Sequence, residues 1–118
     1  MREKEFLSSL NEKYGIMELS PMQRRMLDVP SEKNNIILLS PPGSGTTLAY
    51  VMAVLKMLKP SGGRCQAVII APSRELVIQI AEVFRSLAPS YKVSALYGGH
   101  KVEDEKNSLK ILYERKKL

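Results

Sequence analysis

This chain of 118 residues has no tryptophan, one histidine (His100) and one cysteine (Cys65). A lone cysteine excludes an internal disulfide and agrees with a reducing compartment. One histidine beside one cysteine cannot build a zinc-type cage. No apolar run approaches the roughly 20 residues of a membrane span, and the opening Met-Arg-Glu-Lys-Glu lacks the pattern of a secretory signal. The expectation is a cytoplasmic protein with no membrane partner. Acidic residues also thin out locally: positions 41–100 hold six basic but two acidic side chains, whereas 1–40 hold six of each. With a net charge of +6, that bias favours a polyanionic partner; it also serves solubility, and charge alone does not separate the two. The remaining totals, 44% hydrophobic and 25% charged, fit one globular domain.

The chain is organised around residues 34–58. Ile36 to Leu39 is a short continuous apolar run, which suits a parallel strand covered on both faces. From Thr47 the pattern changes to helical spacing, with Leu48, Val51, Met52, Leu55 and Leu58, until Pro60 stops it. Between them lies Ser40-Pro41-Pro42-Gly43-Ser44-Gly45-Thr46-Thr47. Glycines let backbone approach a phosphate, converging N–H groups hold it, and the helix dipole adds partial positive charge. The bland alternative is a tight strand–loop–helix corner.

The loop is close to the phosphate-binding pattern G-x-x-x-x-G-K-[ST] and misses it twice. Ser40 holds the first position and Thr46 stands in place of the lysine. A small residue at the first position still permits the turn. The lysine grips the terminal phosphates, and one charge-assisted hydrogen bond is worth roughly 1.5–3 kcal/mol, about ten- to a hundred-fold in affinity. Hydrolysis suffers more than binding, because charge develops during the transfer.

Elsewhere, Phe6, Leu7 and Leu10 predict an amphipathic helix ending near Tyr14-Gly15. Ser20-Pro21 reads as an N-cap and first-turn proline, opening a helix through about Val29. Residues 67–71 form a second strand-type run. Ser73 then caps a helix with Leu76, Ile80, Val83, Phe84 and Leu87, ended by Pro89. Residues 92–96 read as a third strand, and 102–115 as a charge-rich last helix. Strands alternating with helices imply an α/β domain, a parallel sheet with helices on both faces. Ligands in such sheets sit at the carboxyl ends of the strands, where the 40–47, 72–73 and 97–99 turns all fall.

With these stretches in place, the sequence resembles the first RecA-like lobe of DEAD-box RNA helicases. Residues 15–23 resemble the Q motif, with Phe6 seventeen residues before Gln23. Residues 40–47 resemble motif I, and Pro72-Ser73-Arg74-Glu75-Leu76-Val77-Ile78-Gln79 is similar to P-T-R-E-L-x-x-Q. Tyr97-Gly98-Gly99 resembles the Gly-Gly motif. The resemblance implies a three-layer P-loop NTPase fold, with ATP and Mg2+ as cofactors and RNA as partner. Gln23 would read adenine, Ile16 would lie on the base, and Phe6 would pack behind it. Pro42, Gly43, Ser44, Gly45 and Thr46 would line the phosphates, and Thr47 would reach magnesium. Pro72, Ser73, Arg74, Glu75, Gly98 and Gly99 would touch the RNA backbone, independent of base sequence. For several of these a simpler reading competes: Gln23 as an exposed helix residue, Arg74 and Glu75 as decoration of a helix start, Gly98-Gly99 as a turn.

Departures accompany the match. Besides Thr46, Pro42 stands where that family usually has threonine, Leu19 where it usually has proline, and Ile16 where an aromatic is usual. No Asp-Glu-Ala-Asp-type motif follows a buried strand within the 118 residues. The expectation is an incomplete lobe spanning 1–118, the front of a larger protein in which a second lobe completes the machinery, and not hydrolytic by itself. The alternative is a degenerate helicase-like module that binds RNA or a protein without nucleotide. Oligomeric state is not legible.

Overall fold

In the computed structural model, residues 3–29, 35–59 and 63–98 are described. Glu3 and Glu5 in the first turn and Lys13 in the last complement the dipole of helix α1, Glu3–Tyr14. Phe6 and Leu10, one turn apart, are fully buried. Gly15 ends α1 in the left-handed region, at φ +69°. Its N–H bonds Asn11 O at 2.9 Å, and the Ile16 N–H reaches Leu10 O at 3.3 Å.

Helix α2, Pro21–Asp28, opens as its sequence requires. Proline at the first position gives up an N–H that has no partner there anyway. Ser20 Oγ accepts from Gln23 N at 3.2 Å, while Gln23 Oε1 accepts from Ser20 N at 2.9 Å. This is a capping box, two orphan amides satisfied reciprocally. Helix α3, Thr46–Met57, buries Ala49, Val51, Met52 and Leu55 and packs against α2. At its far end the Lys56 ammonium donates to Leu27 O, a terminal carbonyl of α2. Arg24 adds ion pairs to Glu3 (3.5 Å) and Glu18 (3.4 Å), both solvent-exposed and so worth little.

The chain divides into two compact units, Met1–Met57 and Leu58–Leu118. In the second, helix α4 runs Arg74–Leu87 with Ile80, Ala81, Phe84 and Leu87 buried. Ser73 Oγ caps it by accepting from Leu76 N at 3.2 Å. The Ala88 N–H closes it onto Phe84 O at 2.9 Å. Gln66 pairs twice with the Lys59 backbone, accepting from its N–H at 2.9 Å and donating to its carbonyl at 2.8 Å.

Helix positions thus follow the sequence, while the described residues do not show the strand runs as a sheet. Among the described residues no strand is present: 36–39, 67–71 and 92–96 carry no ladder. A parallel strand exists only through evenly spaced bonds to neighbours, and apolar composition does not supply them. Nor are 36–39 and 67–71, read as buried-type runs, covered on both faces among the described residues. Ile37 and Leu39 are 86% and 88% exposed, and Val68 and Ile70 are 79% and 92% exposed. Leu38 between the first pair is half-buried, and Ile36 is 49% exposed. The helix read at 102–115 lies outside the described residues.

Candidate functional site

The 40–47 loop is shaped by its two positive-φ glycines, Gly43 at +77° and Gly45 at +86°. Side chains rarely adopt such conformations. Ser44 turns back on Pro41 O with both its N–H (3.3 Å) and its hydroxyl (2.6 Å). Gly45 occupies the N-cap position of α3, its carbonyl accepting from Ala49 N at 3.1 Å. A glycine there supplies no capping oxygen, so the first-turn amides keep their need of an acceptor. Across the loop's mouth, Ser40 Oγ and Thr46 Oγ1 lie 2.6 Å apart, with Ser44 Oγ 3.4 Å from Thr46 Oγ1.

Gln23 joins this loop from α2. Its Nε2 donates to Gly45 O at 3.2 Å, across 22 residues of sequence. The side chain is 6% exposed, which removes the reading of Gln23 as an exposed helix residue. A glutamine amide offers two N–H groups and two lone pairs. Ser20 and Gly45 engage one of each, leaving one donor and one acceptor. The approach is close: a Cβ on Gly45 would lie 2.5 Å from Gln23 Nε2. At Gly43 a Cβ would meet nothing within 4 Å, so the loop stays open on that side.

The chemistry of this donor set suits a phosphate. It consists of backbone amides at a helix start and small hydroxyls, with no charged side chain anywhere from Asn34 to Leu55. Phe6 is fully buried, Ile16 is half-buried, Pro42 is exposed, and Thr47 is half-buried at the helix start. Among the described residues no group of three His, Cys, Asp or Glu side chains could hold a metal.

In the second unit, Pro72, Ser73, Arg74 and Glu75 are all exposed at the start of α4. Arg74 does more than decorate it: Nη1 donates to Gly98 O at 3.2 Å. That bond brings the Pro-Ser-Arg-Glu stretch to the Tyr97-Gly98 turn. Gly99 lies outside the described residues.

Two features escaped sequence reasoning. Gln23 as the partner of Ser20 in a capping box was carried by the Ser-x-x-Gln spacing. The Ser40–Thr46 pair had a subtler signal, since both positions depart from the loop template.

An α2 glutamine is thus bonded to a glycine loop at the start of α3. The DEAD/DEAH box helicase family model matches residues 20–116, and the chain belongs to that family. It is 37% identical over 98 residues to the probable ATP-dependent RNA helicase YfmL of Bacillus subtilis, covering 81% of this chain and 26% of that one. It is 35% identical over 107 residues to the DEAD-box ATP-dependent RNA helicase CshC of Bacillus cereus, covering 89% and 28%. CshA of Streptococcus pneumoniae, also a DEAD-box ATP-dependent RNA helicase, is 34% identical over 101 residues, covering 84% and 19%. The chain therefore spans about a quarter or less of these relatives' lengths. No solved structure matches at the stringency these relatives meet. Membership implies the RecA-like α/β fold, although the described residues show its helices and not its sheet. No helix is long and apolar enough to cross a membrane among the described residues.

Proposed function

We propose that this chain is the nucleotide-binding and RNA-contacting front of a DEAD-box RNA helicase lobe, in which the extended runs belong to a parallel sheet. Its 40–47 loop takes the phosphates of an adenine nucleotide. Gln23 reads the base through its remaining donor and acceptor, with Ile16 against the ring and Phe6 as the buried support. Pro42 and the amides of Gly43, Ser44, Gly45 and Thr46 line the phosphates, and the Thr47 hydroxyl helps hold Mg2+, whose role when bound is to neutralise phosphate charge. With threonine at 46, the loop supports binding better than hydrolysis. Pro72 to Glu75 and Gly98-Gly99 hold an RNA backbone, and a second lobe completes the catalytic assembly.

The observation that carries this reading is the Gln23 Nε2 to Gly45 O hydrogen bond. It couples the base-reading candidate to the phosphate loop, which neither an exposed helix residue nor a plain corner would require. In the test, ATP and GTP are titrated against labelled protein by NMR. ATP is expected to shift the Gln23 side-chain amide and residues 43–47 more than GTP does. Equal shifts would remove the adenine role.

A second reading has an observation of its own. The Gln23 amide is already engaged at both ends and the loop has no cation, as expected of a module that binds RNA without nucleotide. RNA titrations with and without ATP separate the two.

A further inference from the structure

Ser40 and Thr46 are the two positions at which the loop departs from the phosphate-binding template, and they touch each other. Their hydroxyl oxygens are 2.6 Å apart, joining the first residue of the loop to the first residue of α3. Proton accounting makes this a chain. Ser44 Oγ donates to Pro41 O, so in its long contact with Thr46 Oγ1 (3.4 Å) it can only accept. Thr46 and Ser40 then have one proton each for the remaining positions, and the three hydroxyls close the loop upon itself without any charge.

No cation is at hand to replace the missing lysine from within α3. The first basic residue after the loop is Lys56, about 15 Å farther along the helix axis, and its ammonium is engaged with Leu27 O. The backbone amides at the α3 start can hold phosphate oxygens at close range. Nothing in the loop reaches outward to the end of a longer phosphate chain.

We propose that Ser40 and Thr46 form a neutral hydroxyl clasp that keeps the loop closed in place of a lysine. The loop then grips the first two phosphates of an adenine nucleotide and leaves the third ungripped. The site is thus a diphosphate cradle, and its affinity is indifferent to the terminal phosphate. This rests on the nucleotide reading given above.

The test is calorimetry of the full chain with AMP, ADP and ATP in magnesium buffer, for the wild type, Ser40→Ala, Thr46→Lys and Ser40→Ala/Thr46→Lys. Circular dichroism checks that each variant keeps its helices. Wild-type affinities for ADP and ATP are expected to agree within about threefold, with AMP at least about tenfold weaker. Ser40→Ala, which opens the clasp, should weaken ADP and ATP alike. Thr46→Lys should shift the ATP-to-ADP affinity ratio toward ATP by about tenfold. A wild type that prefers ATP by about tenfold or more, or a folded Ser40→Ala that binds as the wild type does, overturns the clasp. If the wild type binds nothing while a lysine variant binds ATP, the clasp falls and the nucleotide site stands. If no form binds any nucleotide, both fall.

Discussion

At the residue scale the position on which most depends is Gln23, because one amide serves two masters. Its oxygen completes the cap of α2 and its nitrogen holds the start of α3. Replacing Gln23 with alanine removes both bonds at a buried site, and a loss of about 1–3 kcal/mol in urea unfolding is expected. Gln23→Glu discriminates between the two roles. A carboxylate still accepts from Ser20 N, but it faces the Gly45 carbonyl with no proton to donate. It should be at least as destabilising as alanine; wild-type stability for Gln23→Glu would mean that the Gly45 bond contributes nothing. Gly45 gives the reciprocal test. Alanine there is strained at φ +86° and its Cβ would lie 2.5 Å from Gln23 Nε2. We expect Gly45→Ala to cost about 1–3 kcal/mol and to lose the NMR contact between α2 and the loop.

At the element scale, helix starts carry the local specification. Ser20 and Ser73 both cap through their hydroxyls, and Ser→Ala at such a position costs about 1 kcal/mol. Ser20→Ala should cost more than Ser73→Ala in denaturant unfolding, because it also frees the Gln23 side chain from its reciprocal bond. Equal losses would show that the capping box works as a simple cap. These starts were legible in the sequence because their causes lie within four residues: Ser20-Pro21 for α2, Ser73 for α4, Gly15 for the stop of α1. The glycine loop was legible for the same reason. Strand pairing was not, since a run such as Ile36 to Leu39 enters a sheet only when another run pairs with it, and no local pattern states the pairing. The Gln23–Gly45 and Arg74–Gly98 bonds were hidden likewise; each joins positions more than 20 residues apart.

At the scale of the whole molecule the relevant quantity is charge. The net charge is +6, while the 34–55 stretch around the loop is uncharged, so attraction for a polyanion comes from elsewhere in the chain. Arg74 is a defined candidate, half-exposed and held by Gly98 O at 3.2 Å. If single-stranded RNA neutralises about three basic side chains, log affinity should fall with log salt at a slope of about −2, roughly a twentyfold loss between 50 and 200 mM. Arg74→Ala should reduce that slope by about 0.7 if its guanidinium meets a phosphate. A variant with weaker binding but an unchanged slope would instead make Arg74 a positioning residue that shapes the Gly98 turn and leaves the phosphate to others. Repeating the titration with ATP decides whether nucleotide and RNA are coupled in this chain. Coupling is reciprocal, so an RNA affinity that changes with ATP must be matched by an equal change in ATP affinity with RNA. An RNA affinity that ignores ATP, in a chain whose calorimetry shows no nucleotide heat, would leave the family fold in place as a nucleotide-independent RNA binder.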